Sequence, residues 1–101
     1  MKDINIGFIG LGNVGLKVAN NILNSGFNLF INDLDKKKSN KLIKLGATWC
    51  ENLETIADKS SIIITCLPNP TSVNKVINTL FPHLNKTHLW IEMSTTDELE
   101  M

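Results

Sequence analysis

The stretch GFIGLGNVG, Gly7 to Gly15, restricts what this chain can fold into more than any other part of it. Ile4 to Ile9 is a short apolar run that reads as a buried strand. Val14, Val18, Ala19 and Ile22 then recur at helical spacing, and Gly26 follows as a stop. The turn between them is Gly10-x-Gly12-x-x-Gly15. Glycine costs backbone entropy and adds nothing to a core, so three glycines at one turn need three reasons. A strand–turn–helix unit that holds a dinucleotide supplies them. The first glycine permits the tight turn off the strand. The second lets the backbone approach a pyrophosphate with no Cβ in the way. The third lets the helix pack closely on the sheet. The helix amino end presents N–H groups and a positive dipole end to the phosphates. The candidate cofactor-binding residues here are Gly10, Leu11, Gly12, Asn13, Val14 and Gly15. The structural alternative is a tight strand–helix turn in some other doubly wound protein.

The rest of the chain repeats the alternation. Leu29 to Ile31 is a second strand. Asp35 opens a second helix with Leu42 and Leu45 on its inner face and Gly46 as terminator. Ala47 to Cys50 is a third strand, and Asn52 caps a short helix carrying Leu53, Ile56 and Ala57. Ser61 to Leu67 holds three consecutive isoleucines, the pattern of a strand covered on both faces. Val73, Val76, Ile77, Leu80 and Phe81 form an amphipathic helix that Pro82 stops. His88 to Met93 is the fifth strand. Strands alternating with helices imply an α/β fold with right-handed crossovers. The expectation is a Rossmann-type doubly wound parallel sheet of five strands in order 3-2-1-4-5. The fifth strand then lies at an edge, where exposed apolar surface near Trp90 invites self-association.

Asp33 ends the second strand about eighteen residues after Gly15, near the spacing of an acidic ribose ligand. Asp35 takes the capping role and leaves Asp33 for a ligand. A carboxylate there accepts the hydroxyl protons of an adenosine ribose. A 2′-phosphate would meet its charge with no arginine anywhere in the chain to compensate. NAD is therefore the expected cofactor ahead of NADP, with Lys36 or Lys37 as the residues able to offset part of the difference. FAD on the same fold is a weaker alternative.

With 101 residues the chain makes one compact domain, and its net charge of zero argues against a nucleic-acid or membrane-surface partner. Cys50 and Cys66 show neither a disulfide framework nor a metal spacing, and read as reduced core thiols of a cytoplasmic protein. The first apolar run is broken by glycines and is no signal peptide, and no run reaches a membrane span. Lys36 to Lys38 read as a solvated helix face. His83 and His88 read as surface residues at the amino end of the fifth strand, and Trp49 and Trp90 as core or interface.

GFIGLGNVG, LFINDLDKKK, LGA, TCLPNP and IEMSTTD together resemble, in order, the N-terminal half of the β-hydroxyacid dehydrogenases, the family of 3-hydroxyisobutyrate dehydrogenase and tartronate semialdehyde reductase. The 6-phosphogluconate dehydrogenases fit less closely, with a different glycine loop and an Asn-Arg at the second strand end. The resemblance implies that Leu67 and Pro68 line the cofactor site. It further implies that Ser94 and Thr95 border the nicotinamide and the substrate carboxylate, so Thr95 serves both. Ser72 stands where the family often has Asn as a cofactor contact. Glu92 replaces an Asp, and Glu98 replaces a Pro. The family's catalytic lysine and its helical substrate domain have no counterpart among these residues. The chain thus reads as residues 1–101 of an NAD(P)-binding domain cut after its fifth strand, with no catalytic residue of its own. It is expected to bind cofactor without turnover. The competing expectation is a free-standing or degenerate NAD-binding module. A small carboxylate substrate belongs only to a complete enzyme.

Overall fold

The strands line up in parallel as β3-β2-β1-β4-β5 in one five-stranded sheet, the expected order. The computed structural model describes residues 4–33, 35–67 and 70–93, apart from the side chains of Pro70 and Ser72. The strands are β1 (Asn5–Ile9), β2 (Asn28–Asn32), β3 (Thr48–Trp49), β4 (Ile62–Thr65) and β5 (Leu89–Glu92). The α-helices are α1 (Asn13–Asn24), α2 (Asn40–Lys44), α3 (Leu53–Lys59) and α4 (Pro70–Leu80). β1 is central. Phe8 sits opposite Ile31 of β2 on one side and Ile64 of β4 on the other.

Because side chains alternate along a strand, β1, β2 and β4 each feed two cores. Ile6, Phe8, Leu29, Ile31 and Ile64 face α1 and α2, where Ala19 and Leu42 complete one cluster. Ile9 and Ile63 face α3 and α4, where Ile56, Ala57 and Leu80 complete the other. The three isoleucines of β4 are thus shared between two layers, as their unbroken run implied. Phe8 is fully buried, and truncating it to alanine removes roughly 3–5 kcal/mol of stability. α3 lies so close over β1 that a Cβ on Gly7 would stand 2.5 Å from Ile56 Cγ2.

Five expectations are corrected. The second helix begins as a 3₁₀ turn, Lys36–Ser39, and only then becomes α2. Asp35 does cap it, accepting the Lys37 N–H at 3.1 Å, and Ser39 Oγ donates to the Lys36 carbonyl at 2.6 Å. α2 ends at Lys44, so Leu45 lies on the turn and is 53% exposed instead of facing inward. Val14 and Phe81 also leave the apolar faces assigned to them. Both are exposed, at the first turn of α1 and beyond the end of α4. His88 is not a free surface residue. It is half-buried, its Nε2 is 2.7 Å from the Ala57 carbonyl, and its Nδ1 accepts the Asn85 N–H at 3.0 Å, so the ring ties the β5 approach to α3. His83 is exposed, 3.7 Å from Glu54. Trp49 and Trp90 are half-buried, one against each core. Among the described residues no helix is long and apolar enough to cross a membrane.

Candidate functional site

In this topology the chain leaves β1 toward β2 on one side and returns to β4 on the other, so the switch point at which such sheets bind ligands lies at the carboxyl ends of β1 and β4. The three glycines stand there with different physical roles. Gly10 has φ +100°, a conformation that L side chains rarely adopt, and a Cβ on it would strike the Cys66 carbonyl oxygen. Its N–H donates to the Asn32 carbonyl at 3.0 Å, which anchors the turn to β2. Gly15 is buried at the start of α1, and a Cβ on it would strike the Gly10 carbonyl oxygen. The fold itself requires both.

Gly12 differs. Its φ of −69° suits any residue, it is exposed, and a Cβ on it would meet nothing within 4 Å. Nothing in the described structure needs a glycine at this position. It is also the N-cap residue of α1, where Ser, Thr, Asp or Asn would normally close the helix. No side chain caps α1, and its first turn holds no acidic residue. The result is an unblocked helix amino end with a positive dipole, open to an anion. Asn13 and Val14 are exposed beside it, and Leu11 is buried and fixes the loop in the core.

Asp33 follows β2 and reaches the same loop. One carboxylate oxygen accepts the Leu11 N–H, and the other accepts the Asp35 N–H at 2.8 Å. Asp33 is therefore engaged by two backbone amides and not left wholly to a ligand as expected. A carboxylate has about four acceptor positions, so capacity remains for hydroxyl donors. Lys36 Nζ lies 5.5 Å from the centre of the Trp49 ring. The Trp49 Nε1–H is shared between the two Glu51 carboxylate oxygens at 3.2 and 3.3 Å. This lysine is thus drawn toward an aromatic face.

Leu67 is buried, and its Cδ2 would lie 3.0 Å from a Cβ on Gly10, so its side chain backs the glycine turn. Pro68, Ser94, Thr95 and the side chain of Ser72 lie outside the described residues. At the ends of β4 and β5, the Trp90 Nε1–H donates to Thr65 Oγ1 at 3.0 Å, and the Thr65 hydroxyl donates to Glu92. Glu92, which replaces the expected Asp, thus anchors the end of β5. Burial pushes the Cys66 thiol up, helped by the negative Glu92. Burial also raises the Cys50 thiol, partly offset by Lys59. Both thiols stay protonated at neutral pH.

The Leu11–Asp33 contact and the Thr65 relay were not legible in the sequence. A backbone N–H has no residue signature, and a lone buried Thr in an isoleucine run reads as a strand former. The Asn32 side chain, which donates to the Cys50 carbonyl at 2.8 Å and ties the ends of β2 and β3, gave no signal either.

A family model described as the NAD binding domain of 6-phosphogluconate dehydrogenase matches residues 5–100. Among curated proteins, 2-(hydroxymethyl)glutarate dehydrogenase of Eubacterium barkeri is 42% identical over 77 residues, 76% of this chain and 26% of that enzyme. Mitochondrial 3-hydroxyisobutyrate dehydrogenase of Drosophila melanogaster is 35% identical over 92 residues, covering 90% of this chain and 28% of that one. 3-Sulfolactaldehyde reductase of Escherichia coli is 36% identical over 98 residues, 94% of this chain and 33% of that enzyme. The chain spans about a quarter to a third of the length of these relatives. Among solved structures, a Myxococcus stipitatus imine reductase variant in complex with NAD+ matches with a TM-score of 0.84 at 20% identity, over 90% of this chain and 32% of that one. A Pseudomonas imine reductase matches with a TM-score of 0.84 at 22% identity, over 97% of this chain and 35% of that one. At such identity the structural likeness bears on the fold alone.

Proposed function

This chain belongs to the family of NAD-binding domains described from 6-phosphogluconate dehydrogenase, and from that premise we propose that it is the cofactor-binding part of an NAD-dependent oxidoreductase of small 3-hydroxyacids or semialdehydes. The observation that carries the reading is Gly12, a glycine that the fold does not need at a helix amino end that no side chain caps. Absence of a side chain there is explained by close approach of an anionic ligand. The chemistry that bound NAD supplies is hydride exchange with a hydroxyl or carbonyl carbon. The backbone from Leu11 to Gly15 holds the pyrophosphate, Asp33 accepts ribose hydroxyls, and exposed Val14 offers an apolar contact beside the helix start. Leu67 supports the loop from below, with Pro68 and Ser72 as further cofactor contacts. Ser94 and Thr95 orient a substrate carboxylate in a complete enzyme.

The same geometry favours NAD over NADP. Each ribose hydroxyl bonded to a carboxylate contributes roughly 1.5–3 kcal/mol when well made. A 2′-phosphate would lose these bonds and face the Asp33 charge, with Lys36 held over Trp49. The expected preference is roughly 10–100-fold. The chain alone is expected to bind without turning over a hydroxyacid, because no lysine here stands in the motif that handles the hydroxyl proton in the family.

The β5 edge is a second element of the proposal. Leu89 and Ile91 are exposed on one face of that strand. We propose that this edge drives self-association of the chain.

Titration with NAD and NADP at fixed ionic strength, followed by an assay with 3-hydroxyisobutyrate, tests the reading. Tighter binding of NAD without turnover supports it. Equal affinities would remove the role given to Asp33, and steady NAD reduction would overturn the statement on catalysis. Sedimentation of the chain and of Leu89→Lys tests the edge. Association that persists unchanged in the variant places the contact elsewhere.

A further inference from the structure

Asp33 joins two loops that are far apart in sequence. One oxygen takes the Leu11 N–H of the glycine loop, and the other takes the Asp35 N–H where the chain leaves β2. Leu11 is the residue between Gly10 and Gly12, so its amide opens the segment proposed to hold the pyrophosphate. The Gly10 N–H is already tied to the Asn32 carbonyl, one residue before Asp33. Two consecutive amides of the glycine loop are thus fastened to two consecutive residues at the end of β2. The first bond is backbone to backbone and survives any substitution of side chains. The second depends on a carboxylate.

We propose that Asp33 is a positioning residue for the glycine loop as well as a ribose ligand: it holds the Leu11 amide so that the loop receives the pyrophosphate without rearranging. The inference rests on the cofactor reading above. A loop held by a charge-assisted hydrogen bond enters binding already ordered. Asp33 therefore serves parts of the dinucleotide that it does not touch. Removing the carboxylate weakens NADP as well as NAD, and does not by itself convert the chain to NADP. A residue acting only through ribose hydroxyls would behave otherwise, since its loss would cost NAD and relieve NADP.

The test pairs a change in the protein with a change in the ligand. NAD and its analogue lacking both hydroxyls of the adenosine ribose are titrated against the unmodified chain, Asp33→Ala and Asp33→Asn. The analogue cannot bond to the carboxylate, so any loss on it comes through the loop. The expected loss on the analogue is roughly tenfold in Asp33→Ala, the effect of one charge-assisted hydrogen bond that orders the site. Asp33→Asn keeps the size of the side chain and is expected to lose less. In the ligand-free chain, the Leu11 amide proton should be shifted downfield and slow to exchange. It should move upfield and exchange faster in both variants, while amides of β4 keep their positions. Unchanged affinity for the analogue overturns the proposal, and so does an unchanged Leu11 resonance. Failure of the unmodified chain to bind NAD would overturn the cofactor reading instead, and Leu11 in the ligand-free chain would still decide the clamp.

Discussion

Helices α1 and α3 begin at the same end of the sheet, one after β1 and the other after β3, yet they begin in opposite ways. α3 is closed by its own side chains. Asn52 Oδ1 accepts the Thr55 N–H at 2.9 Å and the Thr55 hydroxyl at 2.8 Å, and Glu54 places a negative charge in the first turn. α1 has glycine where α3 has asparagine, no side-chain cap, and no acid in its first turn. Glycine in place of a capping side chain costs a helix a few tenths of a kcal/mol. α3 shows that this chain can build a complete helix start. The open start of α1 is therefore a cost that the fold does not explain, and the proposed dinucleotide at the helix amino end supplies a reason for it. Of these two helix starts at one end of the sheet, only that of α1 leaves its backbone N–H groups without a side-chain acceptor at the cap.

Substitutions at the two helix starts separate their roles. The largest effect is expected from Gly15→Ala. Its Cβ would be driven into the Gly10 carbonyl oxygen, a backbone atom with little room to yield. Chemical denaturation should show a loss toward the upper end of about 1–3 kcal/mol, with NAD affinity falling as the loop is displaced. Full stability in this variant would mean that α1 is not seated on the loop as described.

Gly12→Asp converts the start of α1 into a start like that of α3. The backbone conformation tolerates it, and the new side chain enters open space. Stability should rise by a few tenths of a kcal/mol, through the cap and the dipole. NAD affinity should drop roughly 10–100-fold from repulsion of the pyrophosphate, with part of the loss recovered at high salt. A gain in stability without loss of NAD would show that the anion binds elsewhere.

Asn52→Ala is the reverse experiment. Thermal or urea unfolding should report a loss of about 1 kcal/mol from α3, and NAD titration should be unchanged within about twofold. A marked loss of NAD binding would make the two helix starts parts of one site.

The smallest effect concerns the two thiols near these helix starts, Cys66 beside Gly10 and Cys50 before α3. Burial raises both in the folded chain. Their contribution to stability is therefore present in full below the ordinary thiol value of about 8.5 and is lost as pH rises through the raised folded value. Unfolding measured on both sides of pH 8.5 should show a mild decline at the alkaline end that is shallower in Cys50→Ala. A flat profile would mean that neither thiol is shielded.

Gly10 and Gly15 were legible because their reasons are local to a strand–turn–helix unit, and the structure puts them in that unit. Asp33 was legible by spacing, but its bond to Leu11 was not, since the two lie 22 residues apart and one partner is a backbone amide. The second helix was misread because Leu42 and Leu45 share a helical spacing, whereas α2 stops between them. Periodicity gives the faces of a helix and not the residue at which it ends.

Alternating strands and helices, a glycine turn and an acidic residue at the second strand end follow from the amino-acid order alone. Backbone conformation, side-chain alternation and crossover handedness act over a few residues and leave few choices. Which glycine the fold itself requires and which it does not was decided only in three dimensions. Gly10 and Gly15 press against the Cys66 and Gly10 carbonyls, while Gly12 faces open space. That distinction depends on which atoms the folded chain brings to each glycine, and no pattern of residue types records it.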